Sequence, residues 1–269
     1  MAINIHQLTY RYPNGNIGLY NISAHLSKGK KTAILGLNGS GKTTLLSHLN
    51  GSLLPQEGSI DILGLSLEKK NLREIRRKVG FLFDYPDHQL FSTTVYADLK
   101  FGLDNYGYPE EKKEDLIERV SKTFGLEELL SRSPHQLSLG QKKKVATAGV
   151  MIMEPELILC DEPFAGLDGL GLSYFRELLD YWVKEEEKTL VFSTHDVDLS
   201  YAWADEVILL KEGELLYQGK AEEVLQEERV YEEVELEKPF LLRLFQGRKE
   251  KPRTMEEAKK CIEVLERKL

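Results

Sequence analysis

The chain has 269 residues, of which 41% are hydrophobic, and a formal net charge of −8. This length is enough for one large domain or two smaller ones. The negative charge, with no long basic block, argues against nucleic-acid binding through phosphate neutralisation. No stretch approaches the roughly 20 apolar residues that a membrane helix needs, so any role at a membrane would be exerted from its surface through a partner.

The cysteines indicate neither a disulfide framework nor a metal site. Cys160 and Cys261 are far apart and do not have metal-ligand spacing. Cys160 lies in an apolar run, where cysteine behaves as a small hydrophobic residue. Since no N-terminal signal pattern is present, this usage fits a reducing cytoplasm.

The N-terminal segment predicts β-strands. Residues 3–10 alternate between apolar and polar side chains, and a turn follows at residues 13–15. Residues 27–30, with the sequence Ser-Lys-Gly-Lys, indicate a second hairpin turn. The apolar run at residues 32–35 predicts a strand that leads into a glycine-rich segment.

That glycine-rich segment fits the phosphate-loop pattern G-x-x-x-x-G-K-[ST]. A helix is predicted directly after it and ends near Gly51, so several helix N–H groups and the helix dipole favour an anion at the loop. Lys42 adds a charge for the β- and γ-phosphates, and the Thr43 hydroxyl is placed to bind Mg²⁺. We therefore predict a nucleoside triphosphate here. The predicted binding residues are Gly36, Leu37, Asn38, Gly39, Ser40, Gly41, Lys42, Thr43 and Thr44.

The middle of the chain changes from strands to helices. Short strands are predicted at residues 59–64 and 79–83, with a helix at 72–78 between them. From about 92 to 153 the pattern is helical, with helices predicted at 93–103, 110–124 and 138–153. This region therefore forms a predicted helical insertion.

The last of these helices begins with the segment Leu137-Ser138-Leu139-Gly140-Gln141. Ser138 is a favourable N-cap, which an ordinary capped helix would also explain. The same free helix N-terminus, with the Ser138 hydroxyl and the Gly140 N–H, can hold a γ-phosphate. Because one triphosphate cannot easily meet both this segment and the phosphate loop of the same chain, we predict two chains that face each other head to tail.

A buried strand at residues 156–161 ends in two acids. Asp161 at the strand end can hold Mg²⁺, directly or through water, and Glu162 can accept a proton from an attacking water. Beyond it, a helix is predicted at 170–186, a strand at 189–193 and a hairpin at 206–218. Alternating strands and helices predict an α/β fold with a largely parallel sheet and with ligands at the C-terminal strand ends.

These motifs together resemble the ATP-binding-cassette (ABC) ATPase family over nearly the whole chain to about residue 225. Residues 137–141 are similar to its signature LSGGQ, and residues 165–168, ending at Asp168, to its D-loop. The resemblance implies a P-loop NTPase (RecA-like) core with an antiparallel β subdomain and an inserted α-helical subdomain. It also implies that Tyr12 stacks on adenine, that His195 reaches the γ-phosphate, and that Ser138, Leu139, Gly140 and Gln141 contact ATP bound by the partner chain.

A narrower resemblance is to the ATPases of energy-coupling-factor (ECF) transporters, which include cobalt, nickel and vitamin importers. It rests on residues 79–83, 86–91 and 141–150. It implies a peripheral subunit at the cytoplasmic face of the membrane, which uses ATP and Mg²⁺ and pairs with a second ATPase, a membrane coupling protein and a substrate-capture component. We expect an ATPase domain at residues 1–228 and a helical extension at 229–269 that helps the two ATPases to stay together.

Two residues depart from the family pattern. Asp84 stands where the family carries the Q-loop glutamine. Its carboxylate either lies near the γ-phosphate, where it adds a negative charge and can bind Mg²⁺, or points away from the site. Leu139 replaces the first glycine of the signature pair, although Ser138 and Gly140 remain.

Two other functions stay open from the sequence. One is an ABC ATPase of a soluble assembly system, and the other is a nucleotide-sensing subunit that hydrolyses ATP weakly. Several cargoes are compatible with the sequence, and the partner ATPase is either identical or paralogous.

Overall fold

The computed structural model describes residues 1–167 and 169–266, which form two sheets surrounded by helices. The strands are β1 (Ile3–Arg11), β2 (Ile17–Leu26), β3 (Lys31–Leu35), β4 (Glu57–Ile62), β5 (Leu65–Ser66), β6 (Val79–Leu82), β7 (Leu157–Cys160), β8 (Thr189–Thr194), β9 (Glu206–Lys211) and β10 (Glu214–Lys220). The α-helices are α1 (Lys42–Leu49), α2 (Leu72–Lys78), α3 (Val95–Asn105), α4 (Glu110–Phe124), α5 (Leu139–Met151), α6 (Gly169–Lys184), α7 (Val197–Trp203), α8 (Ala221–Val224), α9 (Glu228–Val234), α10 (Phe240–Leu244) and α11 (Met255–Glu266).

The smaller sheet is antiparallel and has the strand order β2-β1-β4-β5. Strand β1 lies in its centre and pairs with β2 on one side and β4 on the other. Its buried positions alternate with exposed ones over residues 3–6, which is why the period-two pattern of the N-terminus predicts a strand. The alternation breaks at Gln7, where the pairing with β2 shifts register. This sheet is the antiparallel β subdomain of the predicted fold.

The larger sheet has the strand order β10-β9-β3-β8-β7-β6. Strands β9, β3, β8, β7 and β6 run parallel, and β10 pairs antiparallel with β9 in the predicted hairpin. The prediction of a largely parallel sheet is therefore confirmed. The loops after β3, β6, β7 and β8 emerge side by side at its C-terminal edge, because these strands are neighbours.

The second predicted hairpin, at residues 27–30, is wrong. A turn does occur there, but it joins β2 of the antiparallel sheet to β3 of the parallel sheet, and β3 pairs with β8 and β9. The Ser27 hydroxyl donates to Glu206 Oε1 of β9, in the parallel sheet, at 2.6 Å. Turn residues indicate a reversal of the chain, and they do not indicate which strands pair across it.

Both faces of the parallel sheet are buried, so its central strands carry continuous apolar runs, with polar residues confined to the strand ends. In β7, Ile158 and Cys160 belong to the larger core, whereas Leu157 and Leu159 belong to a second core shared with α1 and the antiparallel sheet. This double burial explains the continuous apolar runs in the sequence.

The helical insertion contains α3, α4 and α5 and lies between β6 and β7 in the chain. Its helices bury Leu99, Leu103, Ile117 and Val145 against one another and against the larger core. The sequence analysis did not predict α7, a helix of 7 residues whose first turn is capped by Asp196. None of the helices within the described ranges is long and apolar enough to cross a membrane.

The C-terminal extension packs against the rest of the chain. Val230, Val234 and Leu242 lie in the larger core. Farther along, Arg253 Nε donates to the carbonyl of Tyr201 at 2.7 Å, and the Phe240 N–H donates to Asp198 Oδ1 at 2.6 Å. Both acceptors belong to α7, and β9 and β10 add contacts from Lys211 and Tyr217 to Glu233.

Candidate functional site

The phosphate loop lies between β3 and α1, as the sequence predicts. Gly41 caps α1 with φ +104°, and a Cβ there would lie 2.9 Å from the Gly18 carbonyl oxygen. A Cβ on Gly36 would lie 2.4 Å from the carbonyl oxygen of Leu210. Both positions therefore require glycine, one for its backbone angle and both for the close approach of neighbouring backbone.

The loop suits an anion. Lys42 Nζ donates to the carbonyl oxygens of Gly36 at 2.8 Å and Leu37 at 3.0 Å, so the ammonium lies curled inside the loop. Burial lowers the pKa of Lys42, and the charges of Glu162 and Asp161 oppose this effect. Ser40 Oγ is buried and has no hydrogen-bond partner in the described structure. A phosphate oxygen would satisfy such groups together with the free N–H groups at the start of α1.

A hydroxyl and a carboxylate meet next to the loop. Thr43 Oγ1 donates to Asp161 Oδ2 at 2.8 Å, and Ser193 Oγ donates to Asp161 Oδ1. Asp161 is only 8% exposed. No group of three or more His, Cys, Asp or Glu side chains suited to a metal exists within the described residues. Thr43 and Asp161 still suit Mg²⁺, because this ion takes one or two protein ligands and completes its shell with phosphate oxygens and water.

Glu162 follows Asp161 in a constrained conformation. Its φ is +42°, which is uncommon for a residue other than glycine. Its N–H donates to Ser193 Oγ at 2.9 Å, and its Oε1 lies 3.0 Å from His195 Nδ1. The two side chains that the sequence assigns to water activation and to the γ-phosphate are therefore within hydrogen-bond distance of each other. Backbone strain of this kind clusters at functional sites.

A cavity of about 480 Å³ joins these parts. It is lined by Tyr12, by the acids that follow β6 and β7, and by part of the phosphate loop and the start of α1, namely Asn38, Gly39, Gly41, Lys42, Thr43 and Thr44. The acids are Asp84, Asp161 and Glu162. Its lining, as far as the structure describes it, includes neither His195 nor the segment 138–141. His195 instead reaches this cavity through Glu162.

Tyr12 is fixed on the cavity wall. Its hydroxyl lies 2.7 Å from Thr44 Oγ1, its ring packs edge-on against Tyr10, and it is 38% exposed. This position is compatible with adenine stacking, which stays a prediction. The sequence analysis missed the contact with Thr44, because the two residues are 32 positions apart.

The signature segment forms the start of α5. Ser138 and Gln141 make a capping box: Gln141 N–H donates to Ser138 Oγ at 3.3 Å, and Ser138 N–H donates to Gln141 Oε1 at 3.0 Å. Gly140 is exposed, and a Cβ there would meet nothing within 4 Å. Leu139, 41% exposed, places Cδ2 only 3.1 Å from the ideal Cβ position of Gly166. The segment thus presents an open surface, which leaves its contact with a partner's nucleotide a prediction.

Asp84 lines the cavity and is partly engaged by its own loop. Its Oδ1 accepts the Tyr85 N–H at 2.7 Å and lies 3.4 Å from His88 Nδ1. The Asp84 side chain therefore lies at the cavity, while its effect on a nucleotide stays a prediction. Asp168, the last residue of the predicted D-loop, lies outside the described residues.

The sequence analysis gave no role to Ser193 or Lys143. Ser193 joins Asp161 to the backbone of Glu162. Lys143 reaches the carbonyl oxygens of Pro163 and Ala165. Ser193 could have been identified from the sequence, because it is a small polar residue at the end of a buried strand. Lys143 could not, because the run Lys142-Lys143-Lys144 resembles a solvated helix face.

Comparisons with known proteins match the chain over most of its length. The ABC transporter family model matches residues 19–165. The energy-coupling factor transporter ATP-binding protein EcfA of Carboxydothermus hydrogenoformans is 40% identical over 267 residues, with 97% of each chain covered. Two longer relatives, from Methanosarcina mazei and Methanospirillum hungatei, are 43% and 39% identical, and the chain spans 54% and 62% of their lengths.

Solved structures also match. CbiO1 of Clostridium perfringens, part of the ABC transporter complex cbiONQ, has a TM-score of 0.75 and 39% identity, with 87% of this chain and 94% of that chain covered. A dimeric ATP-binding cassette in a post-hydrolysis state bound to ADP and Pi has a TM-score of 0.73 and 28% identity, with 81% of this chain and 98% of that chain covered.

Proposed function

The chain belongs to the ABC transporter family, and on that premise we propose that it is the ATP-hydrolysing subunit of an importer of the ECF type. The matches confirm the family resemblance inferred from the motifs. One observation carries the proposed activity: Lys42 and Thr43 at the start of α1 and Asp161 and Glu162 after β7 come from two separate segments and line one cavity. Positioning of this kind, with electrostatic stabilisation, accounts for most catalysis of phosphoryl transfer.

Each side chain has a distinct task in this proposal. Lys42 and the N–H groups of α1 hold the β- and γ-phosphates, while Tyr12 stacks on the adenine. Thr43 and Asp161 hold Mg²⁺, which when bound neutralises charge on the phosphate oxygens. Glu162 orients the attacking water and accepts its proton, and His195 at 3.0 Å steadies the Glu162 carboxylate and the γ-phosphate.

Two chains complete the site. The signature segment 138–141 is exposed and lies outside the cavity lining of its own chain, so Ser138 and Gly140 are free to close over ATP held by a partner. ATP then joins the two chains, and its hydrolysis lets them separate. The dimeric cassette among the structural matches supports this arrangement. The partner ATPase is either identical or paralogous.

The transport role rests on the relatives. Their names place them in ECF transporters and in a cbiONQ complex. We propose that the chain sits at the cytoplasmic face of the membrane, with a membrane coupling protein docked near residues 86–91 and a separate component that captures the cargo. The cargo class is a cobalt or nickel ion or a vitamin. The extension from residue 229 stabilises the dimer, for which Phe240, Leu244 and Met255 offer exposed apolar side chains.

We expect an integral membrane protein to co-purify with the chain from its native membrane. Phe91 is 62% exposed within the proposed docking segment, and Phe91→Asp should abolish this co-purification because it places a charge in an apolar contact. Tyr181→Asp, at an aromatic residue on α6 that is 53% exposed, is the matched control and should retain the partner. Recovery of a soluble scaffold in place of a membrane protein would contradict the transport role and favour an assembly system.

A second expectation concerns Asp84. At about 4 Å its charge costs roughly 1 to 4 kcal/mol against the γ-phosphate, depending on the effective dielectric constant, before Mg²⁺ offsets it. Asp84→Gln should therefore hydrolyse ATP about fivefold faster at limiting Mg²⁺, and the two proteins should converge when Mg²⁺ saturates. Steady-state ATPase assays across a Mg²⁺ titration measure this, with Asp115→Gln on the exposed face of α4 as the control. Identical curves would show that Asp84 does not act on the nucleotide.

A further inference from the structure

Lys143 is a buried ammonium whose partners are backbone carbonyl groups. It lies on α5, two residues after the signature segment, and is 7% exposed. Its Nζ donates to the carbonyl oxygen of Pro163 at 3.0 Å and to that of Ala165 at 2.5 Å. Both carbonyls belong to the turn that begins at Glu162.

A lysine in this place is energetically costly. Burial lowers the pKa of Lys143, an effect that the neighbouring Cys160 and Asp84 oppose. A buried ammonium is tolerated only where its N–H groups are hydrogen-bonded, and both acceptors here are carbonyl oxygens of one turn. The ammonium therefore acts on the backbone that it holds.

That backbone carries the proposed general base. Glu162 has φ +42°, and its carbonyl accepts the Ala165 N–H at 3.1 Å, which closes a turn. Ser193 fixes the N–H of Glu162 on the strand side, and Lys143 fixes the next carbonyls on the helix side. The uncommon conformation at Glu162 is thus held from both ends, as strained residues at functional sites must be.

The same helix also carries the surface proposed to meet the partner's ATP. Ser138 caps α5, and Leu139 packs over Gly166 in the turn that Lys143 holds. Helix α5 therefore contacts the turn at two points, through an apolar side chain and an ammonium. A displacement of the signature segment would be transmitted to Glu162 of the same chain through this rigid helix.

We propose that Lys143 is a positioning residue, which fixes the backbone after Glu162 to the signature helix so that closure on the partner's ATP aligns the general base of its own site. The inference rests on the proposed function, since it assigns Glu162 and the signature segment the roles given there. Lys143 acts through the backbone and does not touch the nucleotide.

The test is Lys143→Met, which keeps the length of the side chain and removes its donors. A misplacement of about 1 Å at a reacting group can cost on the order of 100-fold in rate. We expect kcat for ATP hydrolysis to fall about 10- to 100-fold, with the KM for ATP near that of the wild type. The thermal midpoint should also fall, because two carbonyl oxygens lose their donor, so the rates are compared at a temperature at which both proteins are folded. Lys144→Met, one position along on the exposed face of the helix, is the matched control and should retain full kcat. Lys143→Gln keeps a donor in a shorter, neutral side chain, so its kcat should lie between wild type and Lys143→Met, and it decides the question if the Met variant does not fold.

The variant Glu162→Gln separates this inference from the proposed function. If Glu162→Gln does not form an ATP-dependent dimer, the proposed two-chain site is wrong, and the inference falls with it. If it forms that dimer, Glu162→Gln/Lys143→Met should form it as well, because Lys143 positions the base and does not bind ATP. Wild-type kcat in the folded Lys143 variants, or a KM for ATP that rises in proportion to the loss of rate, would overturn the role of Lys143.

Discussion

Glu162→Gln should lower kcat for ATP hydrolysis by about 10²- to 10⁴-fold, the range that a general base contributes. Glutamine keeps the size of the side chain and a carbonyl oxygen, but it cannot accept a proton from water at neutral pH. The Glu162 carboxylate lines the cavity and lies 3.0 Å from His195 Nδ1. The substitution therefore removes the proposed general base from the cavity. Lys42 and Thr43 are unchanged, and ATP binding should persist.

The retained ATP makes the variant informative about assembly. With hydrolysis blocked, the two chains should stay closed, and size-exclusion chromatography or light scattering should show an ATP-dependent dimer. Glu187→Gln is the matched control, because Glu187 also has a positive φ, of +52°, at an exposed position between α6 and β8. It should keep wild-type kcat and show no trapped dimer. A Glu162→Gln protein that hydrolyses ATP at the wild-type rate would remove Glu162 from the chemistry.

Lys42→Met should weaken ATP binding about 10- to 100-fold. A hydrogen bond from a charged donor contributes about 1.5 to 3 kcal/mol, and each 1.4 kcal/mol corresponds to about tenfold in affinity. Lys42 is placed for this contact, since its ammonium already lies inside the loop, 2.8 Å from the Gly36 carbonyl oxygen. Fluorescent ATP-analogue binding and steady-state hydrolysis measure the two consequences.

A mixture of Lys42→Met with a second variant, Ser138→Arg, provides the control. Ser138→Arg should block the signature surface and leave the phosphate loop of its own chain intact. Each of the two variants alone should therefore be nearly inactive. In a mixed dimer the intact loop of one chain faces the intact signature of the other. With random pairing, half of the dimers are mixed and each has one complete site, so about a quarter of the activity should return. No recovery from two folded variants that are shown to pair would contradict a site shared between identical chains.

The fold was largely predictable because its signals are local. Residues 72–78 and 110–124 were predicted as helices, and α2 and α4 have these bounds. The strands with continuous apolar runs were predicted as well, since both faces of their sheet are buried. Pairing was less predictable: the turn at residues 27–30 joins two sheets, and no local pattern distinguishes this from a hairpin.

The candidate site also has parts that the sequence predicts and parts that it does not. Lys42 and Thr43 were predicted from a contiguous motif, and Asp161 and Glu162 from an acidic pair at a strand end. The contacts that hold these residues connect distant parts of the chain: Ser193 is 31 residues from Glu162, and Lys143 is 22 residues from Ala165. Motif spacing predicts residues that line the cavity, whereas the residues that support them are identified only by three-dimensional packing.

The way the C-terminal extension is attached affects how the protein can be shortened. Val230, Val234 and Leu242 fill the same apolar interior as β8 and β9, and Tyr201, which is 1% exposed, touches the segment around Arg253. Truncation after residue 228 would therefore remove part of the interior and expose apolar side chains to water. The solubility and melting temperature of a truncated protein should be measured first, before any loss of dimerisation is attributed to the missing helices.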